Sequence, residues 1–545
     1  MTNELRPKPL DHFLPLTFGL VSVALIAICF WRNHHFFHDD AYITLRYAKH
    51  LAAGGGPAWN MHDVSVEGFS SPLHLLLLTA CLRLGLSAEI SARAIGLTAH
   101  ILLTFLVWRR VRADAGDSAG WLAVLLVGAS FPLLVWDLGG LETPLFALIV
   151  FAAHDAAIDY FRTSRAAKLY LAGFLFGVAY ATRPDAVIFL TTTFGFALFR
   201  DGLPTRQTIN HLAMASMAVA VVALPLTLWR ILQFGTLFAN TYYAKVQGVP
   251  LSARLWLGVE YLFGVLTVPP FIFATLPLVW AGAVARQPGD KASGDKASGD
   301  KAQEMLCLSI AAYLLSVTMA GGDHMLAARF LVPVIPLGAV VFATLLSRSG
   351  LLQRYALPIV ACCSLQAAIP YLNPRSLDPA ALVGTVIGRY IATAWPADSL
   401  IALNTAGSVP YFADDDRYID MLGLNDVTIA RRNLSAGDIE WRSVPLIGHL
   451  KGDGGYVLSR APDFIIAGPA EGAVLAPGHL EKFLGDRELS SSQIFRSGWQ
   501  LCHARLTVPS DLAPQVIETT GLRSFLFTFY AKRGVHVQGC ELGNG

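Results

Sequence analysis

The sequence predicts a polytopic α-helical membrane protein that carries a mixed α/β domain at its C-terminal end. The membrane class follows from composition: 54% of the 545 residues are hydrophobic and 15% are charged, against about 45–50% and about 25% in soluble domains. The division follows from position along the chain. Apolar runs recur up to residue 372, whereas polar turns appear from residue 373 onwards. We therefore expect a transmembrane domain over residues 1–372 and a second domain over residues 373–545.

The same composition excludes several classes of protein. So apolar a chain is neither a soluble enzyme nor a disordered tail. The 41 Lys and Arg residues are balanced by 39 Asp and Glu residues, which leaves no basic excess to bind a nucleic-acid backbone. We therefore expect the lipid bilayer as a partner and do not expect nucleic acid as one.

The transmembrane helices are predicted from the apolar runs, because crossing about 30 Å of hydrocarbon takes about 20 apolar residues. No small-residue cleavage site follows the first run, so it is predicted to be a transmembrane helix and not a signal peptide. We expect about eleven spans in total. They cover residues 13–31, 94–108, 119–136, 143–160, 169–182, 186–199, 209–229, 260–283, 305–320, 330–346 and 354–371.

The orientation of the spans is predicted from Lys and Arg, which prefer the cytoplasmic flanks. Arg6 and Lys8 place the start of the chain in the cytoplasm. The run from Leu73 to Leu86 is short, and the arginines at 109, 110 and 112 stay cytoplasmic only if this run lies in the interface or re-enters. An odd number of spans then puts the C-terminal domain outside the cytoplasmic (inner) membrane.

In this topology the outer loops hold most of the unusual polar residues. A single charge at a helix end needs no function, because it reaches the headgroups, but recurrence in nearly every outer loop favours a site. The candidates are Asp39, Asp40, Arg46, Glu67, Glu142, Arg183, Asp185, Tyr242, Tyr243, Lys245, Asp323, His324 and Arg329.

These residue types suit one class of reaction. Carboxylates activate a hydroxyl as general bases or position a divalent cation, so the need for a metal stays open. Arg and Lys hold a phosphate leaving group, and tyrosines stack on a sugar ring. Together they favour glycosyl transfer from a polyprenyl-phosphate donor, whose tail lies in lipid. Because Asp39 and Asp40 are adjacent, they point in different directions, and one is expected to face the site while the other caps the next helix.

The motifs in these loops resemble those of a known family. The acidic pair in Asp-Asp-Ala-Tyr-Ile-Thr-Leu-Arg at 39–46 resembles the GT-C superfamily of polytopic glycosyltransferases. Further motifs occur in the same order in the actinobacterial terminal β-(1→2)-arabinofuranosyltransferases. They are Val-Glu-Gly-Phe-Ser-Ser-Pro-Leu at 66–73, Gly-Leu-Glu-Thr-Pro-Leu at 140–145, Thr-Arg-Pro-Asp at 182–185, Asn-Thr-Tyr-Tyr-Ala-Lys at 240–245, Gly-Gly-Asp at 321–323 with Arg-Phe at 329–330, and Asp-Met-Leu-Gly-Leu-Asn-Asp at 420–426.

The resemblance implies a donor of the decaprenyl-phosphoarabinofuranose type, a cell-envelope glycan acceptor and transfer outside the membrane. It also implies that Asp39 and Asp40 are the catalytic pair and that the run from Leu73 to Leu86 is a juxtamembrane segment. Two alternatives keep the chemistry and change the substrate: another lipid-linked sugar, or a protein or lipopolysaccharide acceptor. A transporter or flippase would instead show inverted repeats and charges near the bilayer midplane, and a scaffold would leave the loop charges unexplained.

The C-terminal domain is predicted from buried apolar runs at 400–403 and 464–467, which are typical of strands, with helical patterns between them. Four polar residues in this domain are candidates for an acceptor groove, although such residues also form local turns: Asp420, Asn425, Asp426 and His449. Cys502 and Cys540 are the two cysteines of the domain, and in an oxidising compartment they would form a disulfide.

Overall fold

The structure is a computed structural model that describes residues 10–61, 63–200, 202–284, 294–368, 379–439, 449–467, 482–535, 537 and 541–542. A helical region comes first. It comprises α1 Leu10–Asn33, α2 Asp39–Ala52, α3 Pro72–Arg83, α4 Ala88–Ala115, α5 Asp117–Gly128, α6 Phe131–Leu138, α7 Thr143–Thr163, α8 Ala166–Thr182, α9 Ala186–Phe199, α10 Arg206–Phe234, α11 Asn240–Lys245, α12 Leu251–Leu266, α13 Pro269–Val284, α14 Gly294–Ala320, a 3₁₀ segment Leu326–Leu331, α15 Val334–Arg348 and α16 Leu352–Ala368.

Five of these helices, within the described residues, are long and apolar enough to cross a membrane, or up to seven spans if two bent pairs each count as one. The five are α1, α4, α7, α10 and α14. Two of the remaining predicted spans correspond to the bent pairs, and the others correspond to shorter apolar helices such as α8 and α9, of 17 and 14 residues. A 14-residue helix rises about 21 Å, which is less than the hydrocarbon thickness. The predicted number of eleven spans is therefore not confirmed.

The predicted span over residues 260–283 is wrong in shape. It is divided between α12 and α13, which meet at 104°. Pro269 and Pro270 open α13, and proline cannot donate the backbone hydrogen bond that would continue α12 across the junction. Hydropathy cannot distinguish such a bend from a straight helix, because both helices are apolar.

Helix α3 has 12 residues, so it rises about 18 Å and is too short to cross a bilayer. Pro72 opens it, where its missing N–H costs nothing. Its Leu75 and Leu78 are buried, whereas Leu76 is exposed. This arrangement agrees with the expectation that the run from Leu73 to Leu86 does not span the membrane.

We call the part of the chain from α17 onward the C-terminal domain. Its elements are α17 Ala380–Ala394, β1 Leu400–Leu403, α18 Ser408–Phe412, β2 Arg417–Asp420, α19 Val427–Ala430, α20 Gly454–Ser459, β3 Phe464–Ile466, α21 Leu484–Ser491, α22 Gln493–Gly498, β4 Trp499–Thr507, α23 Ala513–Thr520, β5 Ser524–Lys532 and β6 Glu541–Leu542. The domain is thus mixed α/β, as the sequence predicts. The predicted boundary between residues 372 and 373 lies outside the described residues.

The strands form one six-stranded sheet in the order β2-β1-β3-β5-β4-β6. β1 pairs in parallel with β2 and β3, and the other pairings are antiparallel. The two strands that the sequence predicts, β1 and β3, are adjacent interior strands of this sheet. Trp395 stacks on Phe464 with ring centroids 3.8 Å apart, which packs the end of α17 onto the sheet.

Cys502 on β4 is disulfide-bonded. Its predicted partner Cys540 lies outside the described residues, so the pairing stays a prediction.

Candidate active site

A cavity of about 540 Å³ lies where the helical region meets the C-terminal domain. Its walls come from the first turns of α2, the loop before α3, the start of α7, the turn between α8 and α9, α11 and the end of α14. Acids and cations contribute equally to its lining. They are Asp40, Glu142, Asp185, Asp323, Arg183, Lys245, Arg254 and Arg329.

The first turn of α2 points its two acids in different directions. His38 is the N-cap, and its Nδ1 accepts a hydrogen bond from the Asp40 amide at 3.2 Å. Acids in this first turn also stabilise the helix dipole. Because consecutive helical residues are rotated by about 100°, Asp40 lines the cavity while Asp39 faces the C-terminal domain.

Asp39 holds the two domains together. Its carboxylate accepts hydrogen bonds from the Gly407 amide at 3.0 Å and from the Ser408 amide at 2.8 Å. The Ser408 hydroxyl donates a third at 2.5 Å. A carboxylate that is buried and accepts three such bonds is a structural contact, so Asp39 is not positioned to act on a molecule in the cavity.

Asp40 is partly exposed to the cavity and carries a negative charge at neutral pH. Burial alone would raise the pKa of its carboxyl. Electrostatic interactions with His38, Lys245 and Arg329 outweigh burial and hold this pKa below its ordinary value. Burial in turn lowers the pKa of the Lys245 ammonium, which the charge of Asp40 partly restores.

Arg183 is fixed at one wall by carboxylates on both sides. It donates to Glu142 at 2.8 Å and to Asp185 at 3.0 Å, and the Tyr313 hydroxyl donates to Asp185 at 2.7 Å. Burial would raise the pKa of Glu142, but the guanidinium of Arg183 lowers it below its ordinary value. The sequence motif Thr-Arg-Pro-Asp thus forms a rigid turn that presents a guanidinium to the cavity.

Arg329 reaches the cavity from a strained backbone. Its Nε lies 3.3 Å from the Asp323 carboxylate. The preceding Ala327 and Ala328 have φ values of 53° and 47°, a left-handed conformation that costs about 1–2 kcal/mol for each residue with a Cβ atom. Such strain is typical of segments that hold a side chain in a required place.

Two histidines meet at the edge of the site. His324 Nε2 lies 3.2 Å from His449 Nε2, and the ring centroids are 4.4 Å apart. His324 belongs to the loop after α14 and His449 to the C-terminal domain. Burial lowers the pKa of both imidazoles, so both are neutral at pH 7 and one Nε2–H donates to the other ring.

Within the described residues, no group of three or more His, Cys, Asp or Glu side chains lies close enough together to hold a metal ion. Asp323 faces Arg329, whose Nε lies 3.3 Å from its carboxylate.

The cavity brings together many of the residues that the sequence predicts. The predicted residues on its walls are Asp40, Glu142, Arg183, Asp185, Tyr242, Lys245, Asp323 and Arg329. Tyr243 is not on these walls: the Arg431 guanidinium lies 5.2 Å from its ring centroid, and its carbonyl accepts from Lys451 at 2.8 Å. His324 lies behind Asp323, at 3.7 Å.

Arg46 does not line the cavity, contrary to prediction. Its side chain is buried in the contact between α2 and the C-terminal domain. It donates to the carbonyls of Trp59 at 2.7 Å and of Pro410, and pairs with Asp414 at 3.1 Å. Arg46 lies six residues beyond Asp40 on α2 and therefore projects from a different side of the helix.

Glu67 is likewise a structural residue and not a substrate contact on the cavity wall. Arg230 on α10 donates to both of its carboxylate oxygens, at 2.6 and 3.0 Å. Both side chains are buried. This bidentate pair holds the loop before α3, so the next residues, Gly68 to Ser71, can line the cavity.

Three of the four groove candidates form local turns. The Asp420 carboxylate accepts hydrogen bonds from backbone amides of its own loop, including that of Asn425 at 2.8 Å. Asn425 accepts from the Tyr47 hydroxyl at 3.1 Å, and Asp426 caps α19. Burial raises the pKa of Asp420 to about 6. The fourth candidate, His449, contacts His324, which lies beside Asp323 of the cavity wall.

Among the cavity residues that sequence reasoning missed are Tyr313, Arg254 and Leu424. Tyr313 lies inside an apolar span, where a tyrosine is typical of packing, and Arg254 lies at the start of α12, where a charge normally reaches the headgroups. Leu424 has no polar atom in its side chain. The only available signal for Leu424 was its place within the motif at 420–426.

The comparisons with known proteins agree with this architecture. Residues 70–229 match the family model described as dolichyl-phosphate-mannose-protein mannosyltransferase, and residues 377–527 match the model of a domain of unknown function. No curated protein matches the chain.

Several solved structures are similar to this chain. ArnT from Cupriavidus metallidurans bound to undecaprenyl phosphate is 14% identical with a TM-score of 0.51, over 73% of this chain and 85% of that one. Its apo state is 13% identical with a TM-score of 0.52, over 77% and 89%. The apo oligosaccharyltransferase of Archaeoglobus fulgidus is 10% identical with a TM-score of 0.51, over 89% and 73%.

These likenesses define the class of the fold: the chain has the fold of the GT-C superfamily of polytopic membrane proteins. At 10–14% identity they show the fold alone. The narrower resemblance to arabinofuranosyltransferases stays a prediction.

Proposed function

We propose that this protein is a membrane glycosyltransferase that moves a sugar, arabinofuranose in the first instance, from a polyprenyl-phosphate donor to a cell-envelope glycan. One observation carries the proposal: Asp40, ionised and partly exposed, lies in a cavity with Lys245 and Arg329. A base beside paired cations is what transfer from a phosphate ester to a hydroxyl requires.

The cations bind the donor phosphate. Within the described residues, the Lys245 ammonium makes no ion pair shorter than 4.0 Å, so it can bind a phosphate oxygen without first breaking one. Arg329 adds a guanidinium, which suits two oxygens of the same phosphate. Arg183 is held by Glu142 and Asp185 and contributes its charge from a fixed position.

Asp40 acts on the acceptor. The acceptor hydroxyl oxygen forms a bond to the anomeric carbon while the bond from that carbon to the phosphate oxygen breaks. The hydroxyl proton passes to the Asp40 carboxylate, and the electron pair leaves on the polyprenyl phosphate. Lys245 and Arg329 stabilise the charge that develops there. The lowered pKa of Asp40 keeps it in the basic, ionised form over the physiological range.

The donor's lipid tail leaves the cavity between apolar helices. Val187 and Ile188 on α9 and Val317 on α14 line this side. Support comes from the fold relative ArnT, whose solved structure holds undecaprenyl phosphate. A polyprenyl chain is therefore the lipid that this proposal takes as substrate.

The site is proposed to face the outside of the cytoplasmic membrane. Helix α4 begins beside the C-terminal domain, since its Glu89 accepts from Tyr42, whose ring lies 5.1 Å from that of Tyr411. Its 28 residues rise about 42 Å to a basic end, where Arg109 and Arg110 pair with Asp155 on α7. Because basic ends favour the cytoplasm, the C-terminal domain lies on the outer side.

A second donor has its own support. The match of residues 70–229 to the dolichyl-phosphate-mannose-protein mannosyltransferase model favours a mannosyl phospholipid and a protein acceptor. The cation pair and Asp40 serve either sugar equally. A transporter or flippase has less support, because it gives no role to a base beside the phosphate site.

Purified protein in lipid nanodiscs would be given radiolabelled decaprenyl-phosphoarabinofuranose or polyprenyl-phosphomannose, each with a glycan acceptor. We expect sugar transfer and release of polyprenyl phosphate with the arabinosyl donor. Transfer with the mannosyl donor alone would establish the second candidate. Turnover that survives Asp40→Asn would overturn the assignment of the base, and no turnover of any lipid-linked sugar would overturn the class.

A further inference from the structure

Among the described residues, the C-terminal domain contributes a single side chain to the cavity wall, that of Leu424. Every other lining residue lies between positions 40 and 330. Leu424 is buried and sits at the tip of the turn that follows β2. Within the described residues, the C-terminal domain therefore offers one apolar side chain, that of Leu424, to a molecule bound in the cavity.

The turn that carries Leu424 is fixed from within its own domain. The Asp420 carboxylate accepts from the amides of Leu422 at 3.0 Å, Gly423 at 3.2 Å and Asn425 at 2.8 Å. Gly423 has a φ of 82°, which residues with a Cβ atom rarely adopt. The position of the Leu424 Cα atom is thus determined by the turn and not by packing alone.

The helical region fixes the same turn from the other side. The Asn240 side-chain amide donates to the carbonyls of Gly423 at 2.9 Å and Leu424 at 3.0 Å. Gly68 approaches so closely that a Cβ atom there would lie 1.8 Å from the Asn425 Oδ1 atom. The Leu424 carbonyl is therefore already bonded, and its isobutyl group faces the cavity.

Leu424 is at the acceptor end of the cavity. It belongs to the domain that packs over the cavity, beside Gly68 and α11, whereas α9 and α14 contribute apolar helix residues to the wall. In the proposed function the donor's tail lies against these two helices, so the acceptor must approach past the C-terminal domain.

We propose that Leu424 sets the size of the acceptor that can reach Asp40. The inference rests on the proposed function and names a specificity-determining residue for it. A rigid apolar wall packs against the carbon-bound face of a sugar ring and narrows the space beside that ring. The motif at 420–426 thus acts through its leucine, while its acids and amide hold the turn.

The test uses the full chain in nanodiscs and octyl arabinofuranosides of one, two and three sugars as acceptor probes. Two variants change the wall, Leu424→Ala and Leu424→Phe. The matched control is Leu422→Ala, which alters a buried leucine of the same turn that does not line the cavity. Leu424→Met, of similar volume, shows whether the position tolerates substitution, and gel filtration shows that each variant is folded.

In the transfer assay we expect Leu424→Phe to lower kcat/KM for the acceptor at least tenfold and to change the donor KM less than twofold. Leu424→Ala should shift preference at least threefold towards the longer probes. Unchanged acceptor preference in both variants, or an equal shift in Leu422→Ala, would overturn the proposal.

A binding arm separates this inference from the proposed function. Calorimetry would measure affinity for the same probes after the protein is loaded with undecaprenyl phosphate, and it needs no turnover. If no sugar is transferred but the probes bind with the expected Leu424 dependence, the proposed function fails and the size limit stands. If the wild-type protein binds none of the probes, the size limit fails.

Discussion

Asp39 and Asp40 are adjacent in sequence but serve different parts of the molecule. The sequence shows that they must point apart, yet it cannot say which one faces the site, because that depends on where the C-terminal domain packs. Gly407 and Ser408, which engage Asp39, lie more than 360 residues away in the chain. The sequence predicts Arg46 and Glu67 as site residues for the same reason, because their partners Asp414 and Arg230 are also remote in sequence.

Substitution of Asp39 should therefore lower stability, whereas substitution of Asp40 should lower turnover. Asp39→Ala leaves buried donors of Gly407 and Ser408 without an acceptor, which we expect to cost roughly 2–4 kcal/mol of unfolding free energy. Asp40→Asn should leave the unfolding temperature nearly unchanged and lower kcat by about 10²–10⁴. Thermal unfolding and the transfer assay measured on both variants would test this. The reverse pattern, with Asp39 setting turnover, would contradict the assignment.

Glu67 and Arg230 make a second residue-level prediction. Glu67→Gln leaves a buried guanidinium without its counter-charge, and we expect it to cost about 3–5 kcal/mol. Replacing both partners, as in Glu67→Leu with Arg230→Met, should cost clearly less, because no buried charge remains. A double-mutant cycle on thermal unfolding measures the coupling. Equal losses in the single and double variants would show that the pair only fills space.

At the scale of elements, apolarity predicts where helices occur but not how they bend. The sequence predicts α1, α7 and α10 to within a few residues. It misses the 104° bend between α12 and α13, since both are apolar. It also predicts α4 too short, because its basic end continues as helix where Arg110 pairs with Asp155 and Asp159 on α7.

The contact between the loop after α14 and the C-terminal domain should depend on pH. Burial lowers the pKa of His324 and His449. Below about pH 6.5 the unfolded chain therefore binds protons that the folded protein does not, and the free energy of unfolding decreases as the pH decreases. The titratable and charged groups that face His324 and His449 are Asp323, Asp40, Lys245, Arg329, His38 and Lys482. Two protonated rings 3.2 Å apart would repel each other.

We expect the unfolding temperature of the wild type to fall when the pH is lowered from 7.5 to 5.5. In His449→Gln this fall should be smaller than in the wild type by about 2 °C or more. Glutamine keeps a hydrogen-bonding side chain without titrating in this range. His503→Gln is the control, because His503 lies on β4, away from the contact, where its Nδ1 bonds Thr528 at 3.2 Å. An identical pH dependence in wild type and His449→Gln would remove the pair as the cause.

At the scale of the whole molecule, the predicted cross-link within the C-terminal domain differs in kind from the contacts that this domain makes with the helical region. Within the domain, the predicted disulfide between Cys502 and Cys540 closes a loop of about 40 residues, for which chain entropy gives roughly 4 kcal/mol. Mass spectrometry of unreduced peptides should recover these two cysteines as one linked species. Free thiols at both positions in protein purified without reductant would contradict the pairing.

Between the two regions, the contacts in the described part of the chain include hydrogen bonds and ion pairs. Arg46 pairs with Asp414, Tyr47 bonds Asn425 and Asn240 holds the turn at Gly423. The class of fold and the candidate loops could be predicted from sequence, because they follow from apolar runs and local motifs. The division of those loop residues between cavity and interface could not, because each contact pairs residues far apart in the chain.

The partners of Asp39 have a consequence for biosynthesis. Asp39, at the start of α2, is synthesised early, whereas Gly407 and Ser408 follow 368 and 369 residues later in the chain. At about 5–20 residues per second, the ribosome needs on the order of 20–70 s to supply them. Throughout that interval Gly407 and Ser408 are not yet available to Asp39, so the site is completed only after the helices before them have been inserted. Assembly of the cavity is therefore a late event in the life of the nascent chain, and a truncated chain lacking the C-terminal domain would leave it open.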